Sequence, residues 1–284
     1  MESMLRGESY FKGLRGSDLF YQTWTEPKAR GTLVWTHGIG EHSESYTRLA
    51  EGLEGSGWNL AVPDLRGHGR SAGPRGVVHE FSDYRDDLDA FLRHLDLAKE
   101  GRPWILGGHS MGALIVLTWC LEDHDSSPAA VVLSSPLLGL RVKVPAFKKK
   151  AASLLAQYAP TLTLFNELKP HQLTRDSKVL DEYARDPLRH DRISAPLYMG
   201  MLAAMSHVQE NAAQIQLPLL IQAAGDDEIV DLGSTQEFFK NLASPQKKME
   251  IYERFRHEIF NEIDRAHVFK DLRRWLELWT PKKN

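Results

Sequence analysis

The sequence predicts an α/β fold: a mostly parallel central sheet covered by helices on both faces, with a helical cap inserted. Three observations carry that prediction. Short apolar runs that read as buried strands alternate with helical patterns along most of the chain. The motif Gly108-His109-Ser110-Met111-Gly112 falls between one such strand and one such helix. The interval 136–213 lies between two strands, holds only helical patterns and is far too long for a simple crossover. The expected organisation is therefore a core made of residues 1–135 and 214–284, with residues 136–213 as the cap.

Taken in order, residues 8–26 carry Tyr10-Phe11 and Leu19-Phe20-Tyr21 around Gly13 and Gly16-Ser17-Asp18, which reads as an antiparallel hairpin. The apolar run 32–36 is the next strand, and it opens into His37-Gly38-Ile39-Gly40-Glu41-His42-Ser43. Residues 46–53 form a helix stopped by Gly55 and Gly57. Strand 58–62 leads into the turn Pro63-Asp64-Leu65-Arg66-Gly67-His68-Gly69-Arg70-Ser71. Residues 81–97 place Phe81, Leu88, Phe91, Leu92 and Leu95 on one side of a helix. Strand 103–106 and the wholly apolar helix 113–121 flank the Gly-x-Ser-x-Gly turn. Strand 129–133 precedes the cap. Strand 218–224, helix 232–242, strand 249–252 and a long helix over 259–279 complete the pattern.

Composition narrows the class of protein. Net charge is −3, which gives no reason to expect a nucleic-acid partner. Cys120 is the single cysteine, so an internal disulfide is excluded and a reducing, cytoplasmic setting is expected. Residues 1–8 lack the apolar core of a signal peptide, and no run of 18 apolar residues could cross a bilayer. Nothing in the sequence sets an oligomeric state. Within the cap, Arg141, Lys143, Lys148, Lys149 and Lys150 place five positive charges in ten residues without an acid. They form either a solvated face or a surface for transient, peripheral membrane contact.

The chemistry begins at Ser110. Glycines two residues before and after it permit a tight strand-to-helix turn, which holds the hydroxyl clear of the sheet beside a helix N-terminus. A serine hydroxyl needs a base, and the base needs an orienting partner. Strand 218–224 ends in a loop with four acids, Asp226, Asp227, Glu228 and Asp231; Asp231 suits a helix cap. His257 follows the last strand. Serine, acid and histidine thus come in that order, each just past a strand.

These segments resemble the monoacylglycerol lipase and lysophospholipase group of α/β-hydrolases. The resemblance rests on His37 to Ser43, Asp64 to Ser71, the Gly108–Gly112 elbow, Asp226-Asp227-Glu228-Ile229-Val230 and His257-Glu258, and so covers nearly the whole chain. It implies Ser110 as nucleophile, His257 as general base and then acid, and Asp227 as the carboxylate that orients it. It implies the backbone N–H groups of Ile39 and Met111 as the oxyanion hole. The implied reaction cleaves a small lipid ester through an acyl-enzyme, with no metal or organic cofactor. Phe147, Leu154, Leu155 and Leu164 of the cap are the candidates for an acyl tunnel. Glu41 matches a glutamate near the family's glycerol end. The family's arginine four residues further on is Ser45 here, which leaves room for lysophospholipids, thioesters or other esters. A non-catalytic binding module on this scaffold would be expected to have lost a triad member. A dehalogenase or epoxide hydrolase would need aspartate in place of Ser110.

Overall fold

A computed structural model describes residues 4–141 and 146–280, with the backbone alone over 146–151. Strands β1 (Leu5–Lys12) and β2 (Asp18–Thr25) form the leading hairpin. Then come β3 (Gly31–Thr36), helix α1 (Thr47–Leu53), β4 (Trp58–Pro63) and α2 (Ser82–Leu95). The elbow joins β5 (Trp104–His109) to α3 (Met111–Cys120), and β6 (Ala130–Ser134) follows. The long interval holds α4 (Ala146–Tyr158), β7 (Thr163–Phe165), α5 (Pro170–Leu173), α6 (Ser177–Tyr183), β8 (Arg192–Ser194) and α7 (Ala195–Glu210). Last are β9 (Leu219–Ala224), α8 (Leu232–Asn241), β10 (Lys247–Tyr252) and α9 (Ala266–Trp279).

Eight strands make one sheet in the order β1-β2-β4-β3-β5-β6-β9-β10. Pairing is parallel from β4 through β10 and antiparallel only where β2 meets β1 and β4. Strands buried on both faces send alternate side chains to opposite layers. Val34, Leu106, Val131, Leu133 and Ile221 point into a layer shared with α2, α3, α7 and α8. Leu33, Trp35, Ile105, Val132 and Leu220 point into a second layer, closed by α1 and α9 through Leu49, Leu53, Leu272 and Leu276. Each such fully buried large side chain stabilises the fold by about 1.5–3 kcal/mol relative to exposure. All residues from Met111 to Leu117 are buried, because α3 is enclosed by the sheet, α2 and α7. Parallel pairing puts the carboxyl ends of β3, β5, β6, β9 and β10 on one edge of the sheet, and the loops that leave them meet there.

Three elements differ from the sequence expectation. The interval 136–213 is not purely helical, because β7 and β8 pair antiparallel, with Leu164 opposite Ile193. Thr161-Leu162-Thr163-Leu164-Phe165 does alternate with period two, but the strand is short and its partner lies far along the chain. Within the same interval, α7 buries Leu197, Met201, Met205 and Val208 in the main core layer against α3. Finally, the pattern over 259–279 is broken. A short 3-10 turn, Ile259–Asn261, precedes α9, and Glu262 between them is extended, with ψ 162°. Its wholly buried carboxylate accepts from Arg175 Nε at 3.0 Å and from the Arg256 amide at 2.9 Å, and that inward pull interrupts the helix.

Candidate active site

Ser110 has φ 52° and ψ −118°, a backbone conformation that a side chain disfavours. Neighbouring strands hold it there. Its amide donates to Ser134 O at 3.0 Å, and its carbonyl accepts from Leu114 and Leu137. The glycines are sterically required. A Cβ on Gly112 would lie 2.1 Å from Thr36 O, and one on Gly108 would lie 2.7 Å from Gly112 C. The turn therefore presses directly against the end of β3. Met111 is the first residue of α3, so its N–H belongs to the helix-terminal donors that have no intrahelical acceptor. The loop after β3 packs on the same turn, since a Cβ on Gly38 would lie 3.3 Å from Ser110 Cβ. Ile39 is the next residue and is half-buried against the core.

Asp227, in the loop after β9, is 3% exposed. Its Oδ2 accepts from His257 Nδ1 at 2.7 Å, and its Oδ1 accepts from the Ile229 and Val230 amides at 2.8 and 2.9 Å. Burial would raise its pKa, but the His257 imidazole and the two amides outweigh that and hold the carboxyl below its ordinary value. Asp226 instead points outward, half-exposed, with Arg256 at 3.7 Å. His257 is buried. Burial alone would lower its pKa, yet the Asp227 carboxylate and its hydrogen bond raise it above the ordinary 6.5. The His257 ring packs 4.7 Å from that of His109, the elbow residue before Ser110. His109 itself is pushed down to about 3, by burial first and His257 second.

Two contributors were not read as part of the site from the sequence: Ser135 carried no signal beyond its place after a strand, and Arg141 was counted only among the charges of the basic cluster. Ser135, just past β6, has φ 40°, and its Oγ donates to the His257 carbonyl at 2.8 Å. Arg141 Nη1 donates to the Asp227 carbonyl at 2.9 Å. Each fixes the backbone of one member of the acid–histidine pair.

Glu41 does not face open space. It is 4% exposed, and its Oε2 accepts from the Gly38 amide at 2.8 Å and from the Tyr46 hydroxyl at 2.6 Å, so it braces the loop that carries Ile39. Among the tunnel candidates, Leu154 and Leu164 are more than half exposed and Leu155 is half-buried. The Phe147 side chain lies outside the described residues, as do Lys143 and the side chains of Lys148, Lys149 and Lys150.

The segment from α5 to β8 is stitched to the site loops. The Glu258 amide donates to Leu173 O at 2.8 Å, His42 Nε2 meets Asp186 Oδ2 at 2.7 Å, and the His190 amide donates to Gly40 O at 3.2 Å. The His190 ring lies 4.5 Å from His68, whose ring is 5.2 Å from His37.

A strained serine at a strand-to-helix elbow and a buried carboxylate–imidazole pair packed against that elbow can together carry out acyl transfer. Fold and site define an α/β-hydrolase. Residues 27–264 match the Hydrolase_4 family, described as "Serine aminopeptidase, S33", and the chain belongs to that family. It is 33% identical to phospholipase YtpA of Bacillus subtilis over 88% of this chain and 96% of that protein. It is 28% identical to the monoacylglycerol lipase of Mycolicibacterium smegmatis over 97% and 99% of the two chains. Among solved structures, the Paleococcus ferrophilus monoacylglycerol lipase is 30% identical, with TM-score 0.81, and covers 99% of this chain and 100% of its own.

Proposed function

We propose that this chain is a serine hydrolase that cleaves monoacylglycerols to fatty acid and glycerol. The observation that carries the reading is the buried Asp227–His257 pair at 2.7 Å beside the Ser110 elbow. The similarity to proteins named monoacylglycerol lipase, spanning nearly the full length of both partners, supplies the substrate class.

In this reading Ser110 Oγ attacks the ester carbonyl as His257 Nε2 takes its proton. The Ile39 and Met111 amides receive the oxyanion; removing such a donor typically costs about 3 kcal/mol of transition-state stabilisation. Collapse of the tetrahedral intermediate breaks the ester C–O bond, and His257 returns the proton to the departing glycerol oxygen. Water, activated by the same imidazole, then frees the fatty acid and restores Ser110. Within residues 136–213, the part that precedes α7 acts as a cap over this site. Leu154, Tyr158, Leu162, Leu164 and Phe165, all exposed and close in sequence, are the surface it offers to a lipid interface. A lysophospholipase reading draws on the Bacillus relative and on Ser45.

The test is initial-rate hydrolysis of monoacylglycerols of several chain lengths, a diacylglycerol, a lysophospholipid and short p-nitrophenyl esters, each with Ser110→Ala as control. Long monoacylglycerols should be preferred, and Ser110→Ala should lose at least about 10⁴-fold in kcat. Retained activity in Ser110→Ala would remove the mechanism. Preference for the lysophospholipid or for short esters would replace the substrate.

A further inference from the structure

Two buried carboxylates flank the site, and one half-buried guanidinium is ion-paired with the second of them. Glu258 follows His257 and is 3% exposed. Its Oε1 accepts from Arg189 Nη2 at 2.8 Å; its Oε2 accepts from Asn261 Nδ2 at 2.8 Å and from the Tyr183 hydroxyl. The Arg189 guanidinium lies 3.7 Å over the Tyr183 ring. Glu41, on the loop that carries Ile39, shares with Glu258 the wall of a cavity of about 10 Å³, together with Ser45, His109 and Asn261. The Ser45 hydroxyl is buried there without a hydrogen-bond partner.

The charges facing this cluster come from every element packed on it. Glu41 and Tyr46 stand on one side, His109 at the end of β5, His257 and Asp227 on the other side, and Arg189 and Tyr183 on the segment after α5. Burial, with Glu258 adding, pushes Glu41 up to about 7, while Arg189 opposes it. Burial also works against Glu258, yet Arg189, then His109, and the Tyr183 and Asn261 donors hold its carboxyl well below the ordinary value. One cation thus keeps ionised the carboxylate next to the histidine. The guanidinium comes from the segment between α6 and β8, far along the chain from the strand loops that carry Glu41 and Glu258.

We propose that Arg189 is a positioning residue for His257, acting through Glu258. This rests on His257 being the general base. Glu258 is covalently next to His257, so the Arg189 ion pair fixes the loop that aims the imidazole. Its charge also offsets the Glu258 anion, which would otherwise raise the His257 pKa further.

The experiment titrates His257 by its downfield Nδ1 proton in NMR and measures kcat and KM on a water-soluble p-nitrophenyl ester. The proteins are wild type, Arg189→Lys, Arg189→Met, Glu258→Gln and the double variant Arg189→Met/Glu258→Gln. Wild type should titrate above 6.5. Arg189→Met uncovers an anion and should raise the His257 pKa by about one unit; Glu258→Gln leaves a cation and should lower it by about one unit. The double variant, with neither charge, should return close to wild type. In Arg189→Met, kcat should fall about tenfold with KM nearly unchanged, and Arg189→Lys should recover part of that loss. If Arg189→Met does not fold, the other three variants still decide the matter. Variants that share the wild-type His257 pKa and kcat, whatever their melting temperatures, overturn the proposal. A wild type whose His257 responds to these charges yet hydrolyses no ester would instead remove the proposed function and leave the coupling standing.

Discussion

Asp226 and Asp227 are adjacent and chemically identical, and their surroundings separate them. Asp227 is sealed between His257 and two backbone amides, whereas Asp226 is half-exposed toward Arg256. Asp227→Asn keeps the size and loses the charge that holds the imidazole in its tautomer. It should cost about 10³–10⁴-fold in kcat. Asp226→Asn removes a solvent-screened charge and should stay within about twofold. Kinetics on one soluble ester check both, and a larger loss at Asp226 would reassign the acid. The places of Ser110 and His257 just past strands were readable from the residues, whereas the strand before the last offered four acids, and only the family resemblance singled out Asp227, the one the structure sets against His257. The bracing by Ser135 and Arg141 was not readable, because it runs through single side-chain bonds to distant backbone carbonyls. Glu41 was readable as a position but not as an environment: sequence says nothing about which way a loop carboxylate turns.

At the scale of elements, the elbow is a contact between three strands as much as a turn. Gly112 touches the Thr36 carbonyl and the Ser110 amide bonds β6, so β3, β5 and β6 together hold the serine in its left-handed conformation. Gly112→Ala would drive a methyl into backbone that cannot step aside. It should destabilise the fold by about 1–3 kcal/mol or more, seen as a lower urea midpoint, and should reduce activity in the fraction that remains folded. An unchanged midpoint would mean that the elbow is looser than its packing indicates. The core elements were legible because buried parallel strands and an all-apolar helix leave unambiguous runs. The interval 136–213 was less so. Its β7–β8 pair is three residues per strand, and the interruption before α9 comes from Glu262 reaching inward to Arg175, a tertiary demand that overrides a helical pattern.

Across the whole molecule, the segment after α5 meets the sheet edge through histidines that burial keeps neutral. Burial pushes His37 down to about 3 and His190 to about 4, and His68 lies well below its ordinary value for the same reason. In the unfolded chain these groups take up protons near pH 6.5, and in the folded protein they do not. Their contribution to stability is therefore complete above about pH 6.5 and is lost as pH falls toward 4 and then 3. His257 and Glu41, whose pKa values are raised, work in the opposite sense but are outnumbered by these three histidines together with His109. The melting temperature should fall steadily between pH 6.5 and 4.5, and His190→Gln should make that fall shallower. A flat profile would contradict the burial of these rings.

The order of the strands also sets an order in time. The partners that hold the Ser110 turn run from Thr36 to Leu137, while the acid and the histidine follow β9 and β10. A ribosome adding about 5–20 residues per second adds His257 roughly 6–25 s after it has added the end of β6. For that interval a nascent chain carries the serine and the residues of its turn, with no base to deprotonate it. The residues that shape the attack are made well before the one that can start it.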